Sequence, residues 1–208
     1  MNAQGDFSIA IAKDTLAAMP VVTYAGEIKV ISTPEDALTA LAEIMTHKRV
    51  GFDTETKPSF RKGRMNEVAL MQVSTERCAY LFRLNLIGIE PVRAFLESDD
   101  VVKVGLSLKD DFQMLHRRGE FEPHGFVELQ ELVKHYHITD ASLQKIYGII
   151  FNGRISKAQR LSNWEAPKLT HGQQVYASID AWACLRIYDC LSAGAFHPDE
   201  SPYIVYDA

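Results

Sequence analysis

Cysteine is scarce in this 208-residue chain, present only as Cys78, Cys184 and Cys190. None belongs to a CxxC pair, and His116, His124, His135, His137 and His171 have no ligand spacing to one another. A zinc site recognised by such spacing is therefore not expected. Cys184 and Cys190 fall in an apolar helical pattern, which suits buried free thiols in a reducing cytoplasm. Long apolar runs are also missing: nothing approaches the ~20 residues that cross a bilayer, so no membrane association is expected. The N-terminus has no basic stretch, and its apolar segment Phe7 to Ala12 stops at Lys13, so no signal peptide is expected. Excess positive charge is lacking too, with a formal net charge of −5. That argues against a non-specific nucleic-acid coat but leaves room for local basic loops beside an acidic centre. With 47% hydrophobic and 24% charged residues, the chain has the composition of one globular domain with a full core.

What is present centres on Val50-Gly51-Phe52-Asp53-Thr54-Glu55-Thr56-Lys57. The segment from Val50 to Glu55 reads as a strand, with Val50, Phe52 and Thr54 on one face and Gly51, Asp53 and Glu55 on the other. Asp53 and Glu55 then lie about 7 Å apart on one side. Like charges that close repel, and a divalent cation such as Mg²⁺ or Mn²⁺ relieves the repulsion with oxygen ligands. The plainer alternative is a strand end carrying two solvated acids.

Around that strand the chain reads as α/β. Residues 1–26 have no clear period and form an N-terminal extension; Glu27 to Ile31 is a weakly alternating edge strand. Thr33-Pro34-Glu35-Asp36 is a helix start, followed by a stripe of Leu38, Leu41, Ala42 and Met45. Met65 to Val73 and Arg77 to Leu84 are strands joined by a turn at Ser74-Thr75-Glu76. A short helix over Pro91 to Leu96, a strand over Val101 to Leu106 and a helix from Leu108 come next. After a short apolar piece at Phe126-Val127, Glu128 to Tyr136, Ser142 to Ile150 and Gly172 to Leu191 read as helices. This order predicts a mixed sheet with helices on both faces over residues 27–192, and residues 193–208 form a tail.

Two helices carry an acid where an apolar residue belongs. Asp111 shares a face with Leu108, Phe112 and Leu115, whereas Asp110 is rotated about 100° away. Ser107 and Asp110 have the spacing of a capping box, which gives Asp110 a structural task and leaves Asp111 as the functional candidate. In the last helix Tyr176, Asp180, Ala183, Ile187 and Leu191 form one face, and Asp180 is its only charge. Tyr176 and Asp180, four apart, stack on adjacent turns. A buried carboxylate is costly unless something compensates it.

Phe52-Asp53-Thr54-Glu55, the segment Lys103 to Asp111, and Tyr176-Ala177-Ser178-Ile179-Asp180 resemble the three motifs of DEDD-family exonucleases of the tyrosine subtype. The segments Glu67 to Val73 and Leu161-Ser162-Asn163-Trp164 are similar to Werner-type and ribonuclease D exonucleases. The resemblance spans residues 27–192. It implies a ribonuclease H-like fold and 3′–5′ hydrolysis of phosphodiester bonds with two divalent cations, Mg²⁺ or Mn²⁺, giving 5′-mononucleotides. Asp53, Glu55 and Asp180 would hold one ion and Asp53 the second, with Asp111 acting partly through water. Tyr176 would orient the attacking water.

The loop after the first motif carries Lys57, Phe60, Arg61, Lys62 and Arg64, and Lys157 and Arg160 precede Trp164. These are expected to contact a nucleic acid with a free 3′ end, the cations on phosphates and Phe60 on a base. The Werner-like segments favour DNA over RNA. The alternatives are a binding domain without catalysis, which predicts a missing motif acid, and an RNA 3′-end trimming nuclease that depends on a partner. All four acids are in place.

Overall fold

The computed structural model describes residues 7–59 and 66–206. Its elements, in chain order, are β1 (Phe7–Ile9), α1 (Lys13–Ala18), β2 (Glu27–Ile31), α2 (Pro34–Ile44), β3 (Arg49–Thr56), β4 (Val68–Ser74) and β5 (Cys78–Phe82). They continue with α3 (Leu84–Ile87), α4 (Glu90–Leu96), β6 (Val102–Gly105), α5 (Leu108–Leu115), β7 (Phe126–Glu128), α6 (Leu129–Leu132), α7 (Leu143–Phe151), α8 (His171–Ser192) and β8 (Ile204–Tyr206). Six strands form one sheet in the order β2-β5-β4-β3-β6-β7. Only β4 runs against the rest: it is antiparallel to β3 and β5, while β2 with β5, β3 with β6 and β6 with β7 are parallel. This is the mixed sheet of the ribonuclease H-like class, with β3 in its interior and the carboxyl ends of β3 and β6 opening at the same edge.

Each face of the sheet has its own core. Val50 and Phe52 of β3 pack with Ala37, Leu41 and Ile44 of α2, Val92 and Phe95 of α4, and Leu108 and Leu115 of α5. On the other face, Val104 packs with Ile179, Ala183 and Ile187 of α8 and Ile146 and Ile149 of α7. Beside them, Trp164 fills a third cluster with Ala69, Leu70, Leu81 and Ala177. The alternation read in β3 therefore sends Phe52 to one core and Asp53 and Glu55 toward α8.

The Thr33 hydroxyl caps α2 by accepting from the Asp36 amide at 3.1 Å, and Pro34 occupies the first turn. The stripe of α2 differs from the one the sequence suggests. Ala37, Ala40, Leu41 and Ile44 are buried, and Leu38 is 61% exposed. Two alanines let the helix lie close to the sheet, a contact that a count of large apolar residues misses. Phe126-Val127 is a strand, and the helix expected over Glu128 to Tyr136 divides into α6 and a 3₁₀ turn at Val133–Tyr136. At the ends of the described chain, β1 and β8 pair antiparallel, with Phe7 opposite Tyr206. Ile9, Ile11 and Leu16 belong to the same core as α7 and α8.

Candidate active site

β3 delivers Asp53 and Glu55 to the edge of the sheet, and α8 delivers Asp180 to meet them. One carboxylate oxygen from each of the three lies within 4.8 Å of the others. Asp53 is partly buried, and Glu55 and Asp180 are buried. Asp111 arrives from the opposite face of the sheet on the first turn of α5, where its Oδ1 accepts a hydrogen bond from the Thr54 hydroxyl. Asp110 is exposed, as its helical position requires. Thr54, on the core side of the alternation, thus acts as the tether between β3 and the fourth acid, a role that strand alternation alone does not show.

Crowding is written into the protonation of these groups. Burial, then the Asp180 charge, raises the Asp53 carboxyl well above its ordinary range. Burial, then Asp53, Asp180 and Asp111, pushes Glu55 up to about 10, with Arg160 opposing. Burial lifts Asp180 to about 7, while the Tyr176 hydroxyl and the Lys157 charge pull it back. Asp111 is raised by burial and then by Asp53. A set of convergent carboxylates, each disfavoured as a lone anion, fits a hard divalent cation, whose charge removes the repulsion and whose oxygen preference matches the donors.

The Tyr176 hydroxyl lies beside the Asp180 carboxylate, one helical turn on, near enough for each to perturb the other. Burial, then the charges of Asp180 and Glu55, holds its phenol well above the usual range, so the hydroxyl keeps its proton. Its ring packs 6.0 Å from that of fully buried Trp164. The loop carrying Trp164 is fixed to α8 in turn: Gln173 Nε2 donates to the Asn163 carbonyl at 3.2 Å. The same Gln173 completes a capping box with Thr170 that starts α8.

Lys157 and Arg160 are exposed and stand near enough to Asp180 and Glu55, respectively, to stabilise their charges. Lys57 also borders the site, but its ammonium pairs with Glu165 at 3.0 Å, tying the exit of β3 to the Trp164 loop. Phe60, Arg61, Lys62 and Arg64 lie outside the described residues.

The expected capping box at α5 is absent. Ser107 adopts a left-handed conformation, φ 65° and ψ 35°, and its side chain makes no cap bond. The usual N-cap geometry is extended, and the left-handed turn swings the serine hydroxyl away from the helix. The Glu128 carboxylate takes its place, accepting from the Ser107 amide at 3.0 Å and the Leu108 amide at 2.7 Å. Sequence spacing gave no signal for Glu128, which lies twenty residues further along the chain.

A mixed α/β sheet with acids gathered at the carboxyl end of an interior strand defines a ribonuclease H-like nuclease architecture. The family model described as 3′–5′ exonuclease matches residues 28–193. The mouse bifunctional 3′–5′ exonuclease/ATP-dependent helicase WRN is 32% identical over 151 residues, 68% of this chain and 11% of that protein. Exonuclease 3′–5′ domain-containing protein 2 of Drosophila melanogaster is 34% identical over 176 residues, 79% of this chain and 30% of that protein. Among solved structures, the Aedes aegypti Nibbler EXO domain superposes with a TM-score of 0.74 at 22% identity, covering 86% of this chain and 97% of that one. Escherichia coli RNase D gives a TM-score of 0.72 at 18% identity, covering 80% and 44%. The chain belongs to the 3′–5′ exonuclease family. It spans less than a third of the length of either curated relative.

Proposed function

We infer that the chain hydrolyses nucleic-acid phosphodiester bonds from the 3′ end, releasing 5′-mononucleotides, with residues 27–192 as the catalytic unit. The observation that carries this is the convergence of Asp53, Glu55 and Asp180, with Asp111 tethered beside them by Thr54 and the Tyr176 hydroxyl next to Asp180. Asp53, Glu55 and Asp180 would hold one divalent cation, and Asp53 with Asp111 would serve a second. Such ions supply an activated water and stabilise the charge of an in-line displacement. The remaining work falls to the chain itself. Tyr176, kept protonated by its surroundings, orients a water rather than removing its proton. Lys157 and Arg160 offer positive charge to the strand near the scissile phosphate, and their exposure leaves them free to reach it.

DNA is the favoured substrate. The support is the 32% identity to a named helicase-exonuclease, against 18% to the structure described as an exoribonuclease. RNA trimming is the second reading, supported by the close superposition on that same exoribonuclease. The test uses the purified chain with one oligonucleotide sequence made as DNA and as RNA, labelled at either end, with Mg²⁺, Mn²⁺ or a chelator. A descending ladder from the 5′ label and early mononucleotide from the 3′ label, both lost with chelator, are expected. Early mononucleotide from the 5′ label without a ladder would mean the opposite polarity and end the reading. Faster cleavage of the RNA strand would reverse the substrate preference alone.

A further inference from the structure

The first turn of α5 carries Asp111, so whatever fixes that turn fixes the fourth acid. Helix N-termini leave backbone amides without partners, and Ser107, left-handed and without a side-chain cap bond, does not serve them. A non-glycine residue with positive φ is uncommon and persists where its surroundings hold it there. Here Glu128, the last residue of β7, does the holding. It sits directly across from Gly105, the last residue of β6, in the parallel pair. Its Oε1 accepts from Ser107 N at 3.0 Å and from Gln130 N at 2.9 Å, and its Oε2 accepts from Leu108 N at 2.7 Å. Gln130 closes the arrangement: its Nε2 donates to Ser107 Oγ at 3.0 Å and to the Ala141 carbonyl at 2.9 Å. Both carboxylate oxygens of Glu128 are thereby committed to amides. A negative charge at this position also suits the positive end of the helix, and hydrogen bonds to an ionised acceptor are the stronger kind.

We propose that Glu128 is a positioning residue for Asp111, holding the left-handed turn at Ser107 so that the first turn of α5 presents Asp111 to Thr54 and the acid cluster. The proposal rests on the exonuclease reading of that cluster. Glu128 reaches no reacting atom; it acts through the backbone amides of Ser107 and Leu108. Substitution by glutamine keeps the shape but replaces one acceptor oxygen by an amide donor, which faces another donor and breaks at least one of the three bonds.

The experiment compares the full chain with E128Q, D111N and the double variant. Each is checked by circular dichroism and thermal melting. Each is then titrated with Mn²⁺ by calorimetry without nucleic acid and assayed for single-turnover cleavage of a 3′-single-stranded oligonucleotide. E128Q should weaken Mn²⁺ binding or slow cleavage about 10- to 100-fold, the usual range for partners that orient metal ligands. KM for the oligonucleotide should not move. The double variant should be no worse than D111N, because a residue acting only through Asp111 has nothing left to position. Losses that multiply in the double variant, or an E128Q chain indistinguishable from the parent, would overturn the proposal. Should E128Q melt too low to assay, Q130A carries the same test: it removes one support of Ser107 and should give a smaller loss of the same pattern, and no loss would count against the proposal. Failure of the underlying site reading looks different, since D111N itself would then keep full Mn²⁺ binding and cleavage.

Discussion

A Cβ atom built on Gly51 would lie 1.8 Å from the carbonyl oxygen of Ala181, so β3 and α8 meet backbone to backbone. Asp180 precedes Ala181 and Asp53 follows Gly51 by two residues, so this contact sets the distance between the two acids. G51A must push α8 away from the strand. It should destabilise the chain by at least about 3 kcal/mol, the upper end of overpacking costs. It should also lower cleavage by more than the loss of folded protein explains. Chemical denaturation together with single-turnover rates checks both; a stable, active G51A chain would mean that the contact is not fixed.

The raised carboxyls make a pH prediction for the metal-free protein. Asp180 titrates at about 7 and Glu55 at about 10 in the folded chain, against about 4 for such groups when unfolded. Between those values the folded state binds more protons than the unfolded state, so stability falls as pH rises. The favourable contribution is complete below about pH 4 and is lost as pH climbs through the folded values. With chelator present, Tm should therefore decline from pH 5 to pH 8, and D180N should flatten that decline. Mg²⁺ or Mn²⁺ competes with these protons, so the rise in Tm on adding metal should be larger at pH 8 than at pH 6. Scanning calorimetry across this range decides it. A slope of the opposite sign, unchanged in D180N, would contradict the arrangement.

Y176F keeps the ring packed against Trp164 and removes only the hydroxyl that lies beside Asp180. Its melting temperature should stay close to that of the parent. Its single-turnover rate should fall about 10²- to 10⁴-fold, the range for positioned acid–base groups. The substrate concentration needed for half-maximal rate should hardly change. An unaltered rate would leave Tyr176 with a packing role only.

Lys157 and Arg160 face solvent while stabilising the charges of Asp180 and Glu55, respectively. Removing both in K157A/R160A should weaken oligonucleotide binding and flatten its dependence on salt, since each lost phosphate contact reduces the slope. Fluorescence anisotropy at several salt concentrations measures this with Ca²⁺ in place of the catalytic ion. Equal slopes in parent and variant would place the strand elsewhere.

Much of the site was legible because strands and helices have fixed periods. Asp53 and Glu55 share a side of β3, and Asp111 rather than Asp110 shares the apolar stripe of α5. Tyr176 and Asp180 stack one turn apart. What stayed hidden depends on contacts that no period encodes. The α2 stripe runs through Ala37 and Ala40, whose small side chains look uninformative until the helix is seen against the sheet. Ser107 and Asp110 have capping-box spacing, yet the spacing rule assumes an extended N-cap, and the left-handed turn hands the task to Glu128. Thr54 reads as a core-facing strand residue, and only the approach of α5 from the other face turns its hydroxyl into a tether for Asp111.

The antiparallel pairing of β1 with β8 has a consequence for how this unit can be joined to other polypeptide. Phe7 lies opposite Tyr206, so the two ends of the described chain emerge side by side. A module with that geometry can be spliced into a surface loop of a host protein with little separation to bridge at the insertion point. By the same geometry, a short linker joining the two ends would close the chain, and new termini could be opened at an exposed turn without dividing β3 from α8.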